Sequence, residues 1–198
     1  MAPVCAYHIV LATYGFWLPN DPRGSGSKQV RSFNLLQFGQ ANYLNTRWSV
    51  ASEEHDHRLR LAAKAALKYQ AVSFSDEQVE VVGCAFGEQA KRSQFRVYAC
   101  AIQAEHAHLV IARHHYKIEQ VGRVLRQAAT LKLLETGLHP FAALRSPTGR
   151  LPSVWEQDFW RVYLFNDDDI QRSLDYCAMQ TGKRDWDWLT PFEPNPVD

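Results

Sequence analysis

The chain predicts an α+β fold, an antiparallel sheet with helices on one side, on three observations. Runs of β-branched and aromatic residues at 4–14, 95–102 and 106–113 read as strands. The last two are parted only by residues 103–105, a turn short enough to join antiparallel neighbours. Ala- and Leu-rich segments with helical spacing fill much of the rest, in the order strand, helix, helix, strand, strand, helix, helix. Neither a repeat nor a linker divides the 198 residues, so 1–198 reads as one domain, with about 187–198 as a C-terminal tail.

The first strand is "VCAYHIVLATY" at 4–14, and "GFWLPNDPRGSGS" breaks it with proline and glycine. From there to about residue 50 no clean period is legible. A helix follows from Ser52 in "SEEHDHRLRLAAKAALKYQA", acidic in its first turn. His55 and His57 lie two apart there, face different directions on a helix, and so do not form a joint metal site. The next helix, "SDEQVEVVGCAFGEQAKRS", opens with Ser75 as N-cap and Gln78 completing a capping box. After the two strands, "KIEQVGRVLRQAATLKLLETG" repeats Ile118, Val121, Leu125, Ala128, Leu131 and Leu134 at helical steps, with Gly137 as its stop. "LHPFAALRSPTGRLPS" is a loop. The final helix starts at "NDDDI", capped by Asn166 or Asp167, with acids favoured by its dipole, and runs to Gly182.

Composition narrows the functional classes. A hydrophobic fraction of 46% with 22% charged residues is that of a soluble globular chain, and aromatics at 12% are rich enough to serve a core or a base-stacking surface. There is no run of about 18 apolar residues to span a membrane, and "MAPVCAYHIV" does not read as a signal peptide. Cys5, Cys84, Cys100 and Cys177 form no CxxC pair, which fits free thiols in a reducing cytoplasm. A net charge of +1 counts mildly against a nucleic-acid binder. The bases are uneven, however: Arg113, Lys117, Arg123, Arg126 and Lys132 follow one another with Glu119 as the single acid among them. Such a stripe serves phosphates or is simply solvated.

Two local patterns carry chemistry. In "EHAHLVI", His106 and His108 are two apart in a strand, so both imidazoles project from one sheet face. Either a metal ion takes both or they are half-buried strand residues; the H-x-H spacing alone does not choose. On the last helix Tyr176 and Gln180 lie one turn apart, at the edge of the apolar stripe of Ile170, Leu174, Cys177 and Ala178. An edge position lets a side chain reach a sheet-borne site and stay accessible.

With these residues in hand the sequence resembles a known family. "VWEQDFWRVYLFNDDDIQRSLDY" is similar to the Trp-Gln-x-x-[Phe/Tyr]-Trp … Asp-Tyr-Ile stretch of REP-associated tyrosine transposases, relatives of single-tyrosine insertion-sequence transposases in the HUH endonuclease superfamily. "AIQAEHAHLVI" resembles that family's histidine strand, and "YHIVLATYGFWLPNDPRG" the start of one branch; the three patches lie in family order from Tyr7 to about Trp186. The resemblance implies a ferredoxin-like fold, Mg²⁺ or Mn²⁺ as cofactor and single-stranded or hairpin DNA as partner. It makes His106 and His108 metal ligands, Gln180 the amide that completes the site, and Tyr176 the nucleophile. Ala104 and Ala107 depart from the family pattern, as does "QTGKRDW" after the tyrosine. Insertion-sequence relatives work as dimers and REP-associated ones also as monomers, so a monomer or homodimer is expected, cytoplasmic and nucleoid-associated.

The chemistry suits the residue types. A tyrosine hydroxyl, with a pKa near ~10, needs help to act as a nucleophile at neutral pH. A divalent ion on three neutral ligands keeps its positive charge for a phosphodiester. The expected activity is therefore cleavage and rejoining of single-stranded DNA through a 5′-phosphotyrosine. For DNA contacts the candidates are the five bases above, with Trp155 and Trp160 to stack on unpaired bases, as also Trp17 and Phe159. Two alternatives stand beside this: a domesticated, non-catalytic binder of DNA hairpins, and a metal-dependent hydrolase using water, which needs acidic ligands where only Glu105 adjoins the histidines.

Overall fold

A computed structural model describes residues 3–19, 33–39, 56–144 and 149–194. Its elements are β1 (Ala6–Ala12), a short 3-10 helix (Phe33–Phe38), α1 (His57–Ala65), α2 (Asp76–Ser93), β2 (Val97–Ile102), β3 (His106–Ala112), α3 (Ile118–Glu135), β4 (Trp160–Leu164) and α4 (Asp167–Ala178). The strands form one sheet in the order β2-β3-β1-β4, every neighbouring pair antiparallel. With α2 and α3 as its two crossovers this is the ferredoxin-like arrangement, to which α4 is added.

Strand alternation divides the sheet into two unlike faces. Ile9 and Leu11 of β1, Leu109 and Ile111 of β3, and Cys100 and Ile102 of β2 point to one side, where they meet Val82 and Phe86 of α2 and Val121 and Leu125 of α3. Ala6 and Val110 point to the other and are covered by Ile170 and Cys177 of α4. The expectation of helices on one side thus holds for α2 and α3 and is corrected for α4, which lies across β2 and β3 on the opposite face. Covered on both sides, β1 is buried at all seven positions. That is why its sequence is a nearly continuous apolar run rather than an alternating one.

β4 is absent from the strands read out of the sequence. Its residues, WRVYL, pair with β1 from Ala6↔Leu164 to Val10↔Trp160 and form an edge with alternating half-buried and exposed side chains. The aromatic run around it gives no turn signal where the strand begins. α3 also differs in detail: the buried stripe is Ile118, Val121, Gly122, Leu125, Ala129 and Leu133. Leu131 is 51% exposed instead. Steps of four dominate because Gly122 and Ala129 are small enough for close approach, and apolarity alone does not reveal that. The start of α1 at Ser52, and His55, fall outside the described residues; Asp56 caps the described helix by accepting from Arg58 and Leu59.

The N-cap of α2 is the expected reciprocal box: Ser75 donates its backbone N–H to Gln78 (2.8 Å) and Gln78 donates back to the Ser75 hydroxyl (3.3 Å). On its outer side Gly83 and Gly87 make room for two tryptophans of the C-terminal segment. A Cβ on Gly83 would lie 2.0 Å from the Trp186 ring, and one on Gly87 2.4 Å from Trp188. The segment is fastened by backbone bonds between Lys183 and Ile102 and from Thr190 to Val97, and Phe192 meets Tyr98 edge-on. The stretch read as a tail is therefore docked on the β2 edge as far as Phe192. Gly83→Ala tests this. Helix propensity favours alanine by about 1 kcal/mol, yet the clash forces the Trp186 ring out, so a net loss of about 1–3 kcal/mol is expected in urea melts.

Candidate active site

The imidazoles stand where the alternation predicts. His106 and His108 oppose Ala12 and Val10 of β1 and project on the face covered by α4, their ring centroids 4.9 Å apart. The register places His8 of β1 opposite Val110, diagonally next to His108 on the same face. His8 Nε2 and His108 Nδ1 are 3.1 Å apart. His8 thus belongs to the cluster, beside both His108 and Tyr176. Both rings are only 5% exposed, and burial pushes His8 down to about 4. Burial likewise holds His108 well below the usual histidine range, helped by repulsion from His8 and His106. At neutral pH the pair is uncharged.

α4 brings the tyrosine to this cluster. Asn166 caps the helix by accepting from Asp169 N–H (2.8 Å), and buried Asp169 accepts from Phe165 N–H and from Arg172. Two residues after β4 the chain is thus turned onto the sheet. Ile170, Ser173 and Cys177 are buried, while Tyr176 beside them is half-buried, as an edge residue should be. Its ring centroid lies 5.4 Å from that of His108 and 5.7 Å from that of His8. Trp160 meets His8 edge-on at 5.6 Å, and Phe16, from the loop after β1, lies 4.8 Å from His106. Phe16 escaped the sequence reading because only folding carries that loop to the start of β3.

Gln180 sits just past the end of α4. It donates to the Tyr176 carbonyl (3.2 Å), and its Oε1 accepts from Gln103 Nε2 (2.9 Å) at the β2–β3 turn. An amide oxygen has two lone pairs, so this bond leaves one of them. Among the described residues no three or more His, Cys, Asp or Glu side chains gather to hold a metal. A cation here would depend on two imidazoles and a neutral oxygen, a donor set that Mg²⁺ or Mn²⁺ accepts only with further oxygen from solvent or substrate. Glu105, the acid a hydrolase would need, reaches instead toward Lys64 (3.5 Å).

The residues proposed for DNA divide. Trp160 lies at the histidine cluster. Trp155 is corrected: it is 4% exposed, stacked near Phe86, and donates Nε1–H to the Arg126 carbonyl (3.1 Å), so no ring face is open to a base. Arg126 is corrected too. It donates to the carbonyls of Glu156 (2.6 Å), Gln157 and Gly122, and lies over Phe159, tying α3 to the approach of β4. Lys132 is paired with Glu88 at 2.7 Å. Arg113, Lys117 and Arg123 are exposed, but the helix that carries or follows them packs on the far side of the sheet from Tyr176.

Glu156 was not singled out in the sequence. Its carboxylate accepts from Gly15 N–H (2.8 Å) and holds the loop that carries Phe16. Burial raises its pKa from 4.5 to about 7 against the opposing backbone bonds. The native state therefore binds more protons than the unfolded chain between those values, and this carboxyl's contribution to stability falls as pH rises through them. His8, depressed by burial from 6.5 to about 4, acts in the opposite sense between those values, and the depressed His108 acts in the same direction as His8. The difference between wild type and Glu156→Gln isolates the carboxyl: the variant should gain about 3 kcal/mol relative to wild type from pH 4.5 to 7.5 in urea melts. A constant difference across that range would mean that the carboxyl keeps its ordinary pKa.

No protein-family model matches the chain, and no curated protein matches it in sequence. Among solved structures, it is similar to a REP-associated tyrosine transposase bound to a REP hairpin, at 11% identity and a TM-score of 0.43, covering 89% of this chain and 67% of that one. It is also similar to a candidate transposase from Deinococcus radiodurans R1, at 11% identity and a TM-score of 0.39, covering 92% of this chain and 95% of that one.

Proposed function

We propose that this chain is a single-strand DNA endonuclease and transesterase of transposase type, with Tyr176 as nucleophile and His106, His108 and Gln180 as ligands of Mg²⁺ or Mn²⁺. The observation that carries the reading is the meeting of Tyr176 with His108, ring centroids 5.4 Å apart, on the face that also holds His106. These residues come from elements far apart in sequence. A half-buried tyrosine edge against neutral imidazoles has no need of that composition for packing alone.

The chemistry is a transesterification. The Tyr176 hydroxyl oxygen attacks phosphorus, the P–O3′ bond breaks, and the proton lost by tyrosine balances the one gained by the departing 3′ oxygen. The product is a 5′-phosphotyrosine and a free 3′-hydroxyl, and reversal by another 3′-hydroxyl rejoins DNA without ATP. When bound, the divalent ion would neutralise phosphate charge. The protein's part is to hold the tyrosine ring at the edge of α4 and, by burial, to keep the His8 and His108 imidazoles neutral. Phe16 lies against His106 and Trp160 against His8, and in this reading Trp160 is the aromatic that stacks on an unpaired base. In this reading the tyrosine serves the histidines of its own chain, the ones its ring already meets.

The test is incubation with Mn²⁺ and single-stranded hairpin oligonucleotides, followed by denaturing gels. A covalent protein–DNA adduct with a released 3′-hydroxyl strand is the expected result. Hairpin binding with neither cleavage nor adduct would instead favour a non-catalytic hairpin-binding protein.

A further inference from the structure

We infer that His8 is a positioning residue: its Nε2 accepts the Nδ1–H of His108, fixes that imidazole in one tautomer, and reserves the His108 Nε2 lone pair for a divalent cation. This rests on the proposed role of His106 and His108 as ligands.

A neutral imidazole carries one N–H and one lone pair. With His8 Nε2 and His108 Nδ1 at 3.1 Å, one proton lies between them. If His8 donates it, the proton of His108 sits on Nε2 and that ring has no lone pair left for a metal. If His108 donates it, Nε2 is open. Only the second tautomer ligates.

Metal-binding histidines ordinarily donate their other N–H to a carboxylate, a carbonyl or water, which fixes the ring. Here the partner of His108 Nδ1 is another imidazole. Water is a poor substitute between rings that are each only 5% exposed. His8 is itself held from three sides: Trp160 edge-on, the Tyr176 ring at 5.7 Å, and the Cys177 thiol 4.0 Å from Nε2. Its place follows from the β1–β3 register, which sets it diagonally beside His108. A leucine would fill such a site as core; an imidazole adds an acceptor aimed at one atom.

Two substitutions separate acceptor from bulk. In His8→Gln the amide oxygen reaches about where Nε2 stood, whereas His8→Leu keeps comparable volume without an acceptor. In calorimetric titration of the full chain with Mn²⁺, His8→Leu should bind about 10- to 100-fold more weakly than wild type, and His8→Gln should recover most of that loss. Nitrogen chemical shifts of ¹⁵N-histidine protein saturated with Mg²⁺ should show His108 protonated on Nδ1, a signature that a purely structural His8 would not enforce. Wild-type protein that binds no Mn²⁺ sinks the metal site and this inference with it. Wild type that binds, with both variants equal to it or both equally weakened, overturns the role of His8 alone. Should His8→Leu fail to fold, the shifts decide, and His108 protonated on Nε2 in the Mg²⁺-loaded protein overturns it.

Discussion

Tyr176→Phe should abolish the covalent protein–DNA adduct outright and lower strand cleavage by orders of magnitude, leaving fold and hairpin affinity in place. The substitution removes one oxygen. The ring contacts with His108 and His8, at 5.4 and 5.7 Å, are made by carbon and persist in phenylalanine. Because the side chain is only half-buried, its hydroxyl is solvated in part, and the stability change should stay within about 1 kcal/mol. Added Mn²⁺ cannot restore a missing nucleophile. Denaturing gels with end-labelled hairpin DNA read both quantities at once. If wild type leaves an unattached 5′ end, and Tyr176→Phe cleaves as fast, water is the attacking group and the tyrosine reading is wrong.

The second large effect is expected from His106→Ala. Cleavage should also be lost, but by a different route: the proposed site keeps His108 and Gln180 and loses one of two nitrogen donors. Since weakened affinity is opposed by mass action, millimolar Mn²⁺ should restore part of the activity of His106→Ala and none of that of Tyr176→Phe. His106 is half-buried against Phe16 at 4.8 Å, so removing the ring opens a small gap and costs about 1 kcal/mol. Undiminished cleavage by a folded His106→Ala protein would remove the histidine pair from the mechanism. The contrast in metal rescue, rather than loss of activity alone, distinguishes ligand from nucleophile.

Particular residues show how far local reading reaches. The shared face of His106 and His108 is a matter of the two-residue repeat of a strand, and the edge position of Tyr176 follows from the 100° step of a helix. Both are properties of consecutive residues, and both stand in the structure as read. So do the Ser75–Gln78 box and the Asn166 cap, whose hydrogen bonds span three residues. β4 was missed because an edge strand of five residues has little pattern of its own and is defined by its partner, β1.

What only the tertiary structure decided is which surfaces meet. A stripe of bases or an aromatic pair carries no mark of what will cover it, and so Arg126 was free to be a phosphate ligand until the carbonyls of Glu156 and Gln157 claimed it. Trp155 likewise had a ring to offer until Phe86 and α3 buried it. The placement of α4 on the sheet face opposite α2 and α3 depends on how tightly the Asn166–Asp169 turn reverses the chain after β4. His8 is the sharpest case. His8 and His108 are 100 positions apart, and their 3.1 Å contact exists because β1 pairs with β3 in one register and no other. Shifting that register by one residue would send His8 to the opposite face. By itself the sequence determined which side chains share a helix turn or a strand face, since those angles are set by the backbone of a few residues. The neighbours of each face depend on long-range pairing, and that is chosen by burial of the whole core.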